Sequence, residues 1–135
     1  MFSVGQEVAA GPRSSSFPEW NRFAAVNDEF VPIHMDDDAG RAAGYPGAII
    51  MGRLQWSYVH RLLREWLPPE GRIEAVALRF RAPTLRNALF DVKARVLAVR
   101  SGNERVFADL EVWVENGDGV VSAPGTATVS VPAQR

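Results

Sequence analysis

Three features are scarce or missing in this sequence, and each absence excludes a class of protein. None of the 135 residues is a cysteine, which excludes thiol catalysis, cysteine zinc sites and a disulfide scaffold, and is compatible with the cytoplasm. The 15 basic and 16 acidic side chains nearly cancel, so no basic surplus favours nucleic acid as a partner. No run of about 18 apolar residues is present, so no membrane span is predicted. We therefore expect a cytoplasmic protein without a nucleic-acid or membrane partner.

The length and the start of the chain point to one domain without a leader. A chain of 135 residues leaves little room for a second hydrophobic core, so a single domain over residues 1–135 is predicted. The 47% hydrophobic and 23% charged content is that of an ordinary globular protein. Residues 1–11 have neither a basic start nor a long apolar run, so no secretory signal is expected.

Helical spacing dominates the first half of the sequence. Ser16 and Glu19 have the three-residue separation of a capping box, which predicts a helix start. Three acids at positions 36–38 favour a second start, and Gly44 is suited to end that helix. The predicted elements are a weak strand over Phe2–Ala10, helices over Phe17–Val26, Asp36–Ala43 and Ala48–Trp66, and a loop over Asn27–Pro32.

The second half of the sequence changes to the two-residue period of strands. Alternating apolar positions are separated by turn sequences at Ser101–Asn103 and Asn116–Gly119, which read as hairpin connections. Helices followed by antiparallel strands define an α+β domain, in which the long helix can cover one face of the sheet. The predicted strands are Ile73–Arg81, Leu89–Val99, Arg105–Val114 and Val120–Val131.

Reactive side chains concentrate between the first two predicted helices. A carboxylate, Asp28 or Glu29, and the imidazole of His34 can form a general acid–base pair if they converge on one pocket. Solvated acids and a structural histidine are the alternative on spacing alone. A metal bound by His34 and the aspartates at 36–38 matches no known loop, and helix capping explains those acids, so we expect no metal.

A longer motif adds a family resemblance to these observations. The stretch Phe23–His34, FAAVNDEFVPIH, resembles the signature of the MaoC-like dehydratases, the (R)-specific enoyl-CoA hydratase group. That signature reads aromatic, Ala, two residues, Ser, Gly, Asp, any residue, Asn, Pro, aliphatic, His. Further matches follow in the family's order: Asp36, Ala42–Gly47, Gly52, Phe80–Pro83 and the last hairpin at 116–129.

The resemblance implies a hot-dog fold, a long central helix wrapped by a curved antiparallel sheet, and a dimer. It also implies reversible addition of water to an enoyl-CoA, with CoA as part of the substrate and no cofactor. Aligned without gaps, the family's catalytic aspartate falls on Glu29, although a one-residue shift would present Asp28 instead. His34 keeps the position of the catalytic histidine. The Gly52 amide, at a helix start, would polarise the thioester carbonyl.

The substrate-contacting positions follow from the same comparison. Asn27 occupies the position of the family's Ser, and Met51 replaces the His that precedes the family's Gly, here Gly52. The catalytic motif is therefore divergent. Tyr45 and Ile50, with Ile49 and Trp56, are candidates for an acyl tunnel, for which core packing is the alternative. Arg41 and Arg53 are candidates for contacts with CoA phosphates.

Three functions fit these residues. The preferred hypothesis is a hydratase or dehydratase of enoyl-CoA, because a carboxylate, His34 and Gly52 occupy motif positions. The alternatives are a non-catalytic hot-dog subunit paired with a second hot-dog chain, and an acyl-CoA thioesterase on the same scaffold. Neither acyl chain length nor homo- or hetero-oligomeric state follows from the sequence.

Overall fold

A five-stranded antiparallel sheet forms the framework of the protein. The computed structural model describes residues 1–134. The strands lie in the order β1-β3-β4-β5-β2, with β1 and β2 at the two edges, and register shifts in β2, β3 and β5 mark irregularities at which a sheet bends. The strands are β1 Glu7–Ala9, β2 Arg72–Leu78, β3 Phe90–Ser101, β4 Arg105–Asn116 and β5 Val121–Pro132.

Alternation of side chains explains why one face of this sheet is buried. In β4 the apolar positions Ala108, Leu110, Val112 and Val114 are all at most 1% exposed. The β4–β5 turn is closed by Asn116, whose side-chain oxygen accepts hydrogen bonds from two backbone amides at 3.0 Å. The four strands predicted in the second half are confirmed, with shifted ends. The predicted first strand is shorter than expected: it covers only Glu7–Ala9 and follows a turn closed by the hydrogen bond from Gln6 N to Ser3 O at 3.0 Å.

A long helix covers the buried face of the sheet. Helix α3, Gly52–Trp66, contacts β2, β3 and β4, and its apolar stripe enters the core. This confirms the predicted α+β domain with a central helix. The predicted start at Ala48 is wrong: residues 48–51 are extended, and their backbone bonds run to other segments, such as Ile50 N to Thr84 O at 2.9 Å. An apolar run of this length fits a buried extended segment as well as a helix.

Helix α1, Phe17–Asn27, has the predicted bounds within one residue. Ser16 is its N-cap, but the predicted capping box is wrong, since Ser16 makes no side-chain cap bond. Glu19 instead accepts a hydrogen bond from Arg13 Nη2 at 3.0 Å, so a partner outside the helix replaces the local one. Trp20 is fully buried and donates from Nε1 to Ser15 Oγ at 2.9 Å.

Helix α2, Asp37–Ala42, packs against the extended segment that precedes α3. It is one residue shorter at each end than predicted, because Asp36 is the N-cap and accepts from the Asp38 amide at 3.2 Å. Gly44, just beyond the helix, has a φ of 98°. Within residues 1–134, no helix has both the length and the apolar character needed to cross a membrane.

Candidate active site

His34 is buried at the end of a short 3₁₀ helix, Pro32–His34, and its ring has a defined orientation. The side chain is 8% exposed, and Nδ1 lies 2.8 Å from the carbonyl oxygen of Ile49. A carbonyl only accepts hydrogen bonds, so Nδ1 carries the proton in this contact. In the neutral ring Nε2 is then free to accept a proton, which is what a general base requires.

The extended segment before α3 holds that histidine from both sides. The Ile49 amide donates to Ile33 O at 3.0 Å, while the Ile49 carbonyl accepts from His34. Both bonds use the backbone of one residue, so they depend on the path of residues 48–51 and not on their side chains. The observed extended conformation, where a helix was predicted, is therefore what orients His34.

The start of α3 lies beside the same histidine. Gly52 is the first helical residue, and its N-cap Met51 makes no side-chain cap bond. The first amides of a helix lack intrahelical partners and lie at the positive end of its dipole. No acidic residue stands in this first turn to neutralise that charge. The helix start is thus suited to a negatively charged oxygen.

A cavity of about 260 Å³ brings these groups together. Four of the predicted site residues line it: His34, Tyr45, Ile50 and Gly52. The predicted tunnel residue Ile49 lies there as well. Met51 is fully buried in the hydrophobic core. The remaining lining residues are Gln55, Phe80, Arg81, Ala82 and Pro83.

The predicted carboxylates lie in the loop after α1. Asp28 is exposed and has a left-handed φ of 50° as the C-cap of that helix. Glu29 Oε2 accepts a hydrogen bond from Asn27 Nδ2 at 2.9 Å. Within the described residues, neither Asp28 nor Glu29 lines the His34 cavity. The structure therefore groups Asn27 with Glu29, and groups His34 with Gly52.

A second, largely apolar cavity of about 560 Å³ adjoins the first. Gly52 and Phe80 line both cavities, and a Cβ added to Gly52 would lie 2.8 Å from Phe80 Cε2. Asn27, Arg53 and the predicted tunnel residue Trp56 line the second cavity. Phe80 therefore lies between the two cavities, packed on the start of α3.

The other predicted phosphate contact lies elsewhere. Arg41 is exposed and pairs with Asp38, Nη1 to Oδ1, at 3.1 Å.

His60, the second histidine, lies in the middle of α3, where burial and the nearby Arg64 lower its pKa. Its ring centroid is 4.1 Å from that of Trp56. Among residues 1–134, no three or more histidine and carboxylate side chains gather into a group that could hold a metal ion.

An ion pair stabilises the segment that carries the site. Asp37 Oδ1 accepts from the Ala48 amide at 3.0 Å, and Oδ2 accepts from Arg86 Nη2. The Ala48 hydrogen bond, followed by the Arg86 charge, holds the pKa of Asp37 below its ordinary value against the opposing effect of burial. Asp37 thus links α2, the segment before α3 and the loop after β2, and positions the backbone on which His34 depends.

Sequence reasoning did not assign five residues that line the His34 cavity to the site: Gln55 and residues 80–83. Gln55 is 3% exposed, and its Oε1 is buried without a hydrogen-bond partner among the described residues. It follows Gly52 by three positions, which places both on one side of a helix, and that spacing was the available signal. Phe80 was noticed only within a motif, and its place between two cavities depends on contacts that the sequence does not contain.

Comparisons with known proteins agree with this architecture. The model of the MaoC-like domain family matches residues 3–117. The (R)-specific enoyl-CoA hydratase of Aeromonas caviae is 27% identical over 130 residues, covering 96% of this chain and 95% of that protein. The solved (R)-hydratase of A. caviae involved in PHA biosynthesis has a TM-score of 0.88 at 24% identity, covering 97% of this chain and 98% of its own.

A two-chain assembly is among the similar structures. The ChsH1–ChsH2 complex of Mycobacterium tuberculosis matches with a TM-score of 0.84 at 20% identity, covering 97% of this chain and 99% of that chain. At such identities the structural likeness shows the fold, and it confirms the hot-dog domain that the resemblance implied. With a family match over most of its length and this fold, the chain belongs to the MaoC-like domain family.

Proposed function

We propose that the protein is a hydratase or dehydratase that adds water to, or removes it from, the 2,3 double bond of an enoyl-CoA. The observation that carries the proposal is one cavity in which a buried His34, with Nε2 free, faces the start of α3 at Gly52. The similarity to an (R)-specific enoyl-CoA hydratase supports the same chemistry. CoA belongs to the substrate, and the reaction needs neither a metal nor another cofactor.

The proposed reaction uses one base and one site for negative charge. His34 Nε2 accepts a proton from water as the water oxygen bonds to C3 of the enoyl group. The electron pair of the double bond moves toward the thioester oxygen, which the amides at the start of α3 stabilise. A proton then returns to C2 from the imidazolium, so the histidine ends in its original state and one water has been added.

We assign the role of the carboxylate to Glu29, with Asp28 as the alternative. Glu29 is bonded to Asn27 in the loop that leads to His34. To assist the water, its carboxylate has to leave Asn27 and turn toward the cavity. We also assign Tyr45 and Ile50 to binding of the acyl group and Arg53 to binding of the CoA phosphates. Met51, in the hydrophobic core, would support the acyl site from beneath.

Hydration of a short enoyl-CoA tests the proposal directly. The absorbance of the conjugated thioester is lost on hydration, and His34→Ala should lower kcat/KM by about 10²- to 10⁴-fold, the usual contribution of a general base. His60→Ala is the matched control, because His60 lies on α3 and lines neither cavity. Equal rates for wild type and His34→Ala, or no activity of the wild type with any chain length, would contradict the proposal.

One observation favours a second candidate, a non-catalytic subunit of a two-chain hydratase. Glu29 is engaged by Asn27, away from the His34 cavity, and the matched complex of M. tuberculosis contains two different chains. The mass of the purified protein distinguishes the candidates. We propose a cytoplasmic homodimer, so a monomer or aggregate without hydratase activity would favour the subunit. Release of free CoA thiol, without hydration, would identify a thioesterase.

A further inference from the structure

Gln55 is a buried polar residue of the His34 cavity that takes no part in the reaction steps proposed above. Its side chain is 3% exposed on a helix whose inward face is otherwise mainly apolar. Its Oε1 is buried and accepts no hydrogen bond from any residue in the range 1–134. Nearly all buried polar atoms in proteins have a partner, either in the protein or in an ordered water or ligand. An unpartnered amide oxygen therefore indicates that the partner is not part of the chain.

The position of Gln55 identifies where that partner would lie. Gln55 lines the cavity that also contains His34 and Gly52. It follows Gly52 by one turn of α3, so the two lie on the same side of the helix. The cavity thus contains an imidazole base, a helix start and a neutral amide. An amide both donates and accepts hydrogen bonds but does not ionise, which suits it to hold a water molecule without competing for its proton.

We propose that the Gln55 side chain binds the reacting water, and the C3 hydroxyl that this water becomes, opposite His34. This inference rests on the proposed hydratase function and deepens it. Gln55 gains and loses no proton: the water proton passes to His34 Nε2, and the amide keeps the water oxygen directed at C3. Gln55 would thus position the water even while the Glu29 carboxylate stays bonded to Asn27.

Replacement of the amide by an apolar side chain of similar length tests this role. Gln55→Met should lower kcat/KM for hydration by about 100-fold, the cost of a misplaced reactant. Its Tm should stay equal to that of the wild type or rise, because a buried atom without a partner is removed. Gln6→Met is the matched control: Gln6 lies in the N-terminal segment, its side chain accepts a hydrogen bond from the Ser3 amide at 3.2 Å, and the change should leave both quantities unchanged.

A charged variant tests whether the Gln55 side chain shares the site of His34. Gln55→Glu keeps an oxygen acceptor and places a carboxylate near His34, which favours the imidazolium form. The acid limb of the pH profile of kcat/KM should therefore move to higher pH. The other titratable or charged side chains that line this cavity are Tyr45 and Arg81, and both are unchanged in the variant. An unshifted acid limb in a folded, active variant would overturn the proposal.

The remaining outcomes separate this inference from the proposed function. Gln55→Met with kcat/KM within threefold of wild type, or with a Tm lower by more than about 5 °C, overturns the role of Gln55 and leaves the hydratase intact. If the wild type is inactive, the hydratase proposal fails, and calorimetric binding of (R)-3-hydroxybutyryl-CoA decides on Gln55. Binding at least tenfold weaker in Gln55→Met supports the contact with the hydroxyl, whereas equal binding, or none by the wild type, overturns it.

Discussion

Gly40 is the position at which the fold and the candidate site depend most directly on one residue. It lies buried in α2, against the segment that leads into α3. A Cβ built at Gly40 would lie 2.0 Å from Gly47 O, 2.3 Å from Gly47 C and 2.7 Å from Ala48 N. All three are backbone atoms, so no side-chain rotation relieves the overlap. Gly40→Ala therefore has to separate α2 from residues 47–48.

The size of this effect follows from the distances. Ordinary contact begins near 3.4 Å, so the backbone has to move by more than 1 Å. Overpacking costs about 1–3 kcal/mol and occasionally more, and a clash with backbone belongs at the upper end. Alanine is favoured over glycine in a helix by about 1 kcal/mol, which offsets part of this. The net loss is about 2 kcal/mol or more, equivalent to roughly 6–10 °C in Tm for a domain of this size.

Thermal unfolding followed by circular dichroism measures this loss. Gly44→Ala is the control four residues later: nothing lies within 4 Å of its added Cβ, and only its φ of 98° is unfavourable. That strain costs about 1–2 kcal/mol. Gly40→Ala should be the less stable variant and should also lose the proposed hydratase activity, because Ile49, which orients His34, follows the displaced segment. A Gly40→Ala protein at least as stable as Gly44→Ala would refute the reasoning.

Two further predictions concern the surroundings of the site. The pKa of Asp37 is depressed in the folded state, so the stabilisation by its carboxylate is present at neutral pH and is lost as pH falls through that depressed pKa. Asp37→Asn should therefore lower Tm at pH 7, and thermal scans across pH should show the difference from wild type disappear in strong acid. A difference that does not depend on pH would exclude the ion pair with Arg86 as its cause. Phe80→Ala should open the cavity of about 260 Å³ to its neighbour of about 560 Å³. The ratio of kcat/KM for an eight-carbon enoyl-CoA to that for a four-carbon enoyl-CoA should then rise by about tenfold. An unchanged ratio would contradict this prediction.

The strands and most helix ends were predictable because their signals are local. The apolar positions of β4 alternate, and an alternating strand with one apolar face has to bury that face. The end of α3 at Trp66 precedes two prolines, which cannot continue a helix. The α+β order then follows from the change of period near residue 72. None of these inferences needs knowledge of what lies across the core.

The errors occurred where a distant segment decides the local structure. Residues 48–51 are apolar enough to belong to a helix, yet backbone hydrogen bonds to Ile33 and Thr84 and the bridge between Ile49 and Leu85 keep them extended. Glu19 had a suitable cap position, yet the guanidinium of Arg13 binds it. The same limit applies to Gln55, whose importance comes from a cavity formed by four separate stretches of chain.

The candidate site consists of two parts that respond differently to sequence change. Backbone atoms provide the first part: the Ile49 carbonyl orients His34, and the amides at the start of α3 are suited to a negatively charged oxygen. Side chains can vary around this part as long as the chain keeps its path. The second part, the groups that would hold the reacting water, depends on side chains alone, and here Glu29 bonds Asn27 and does not line the cavity. Whether Gln55 and Glu29 complete the proposed water site therefore decides between an enzyme and a partner subunit.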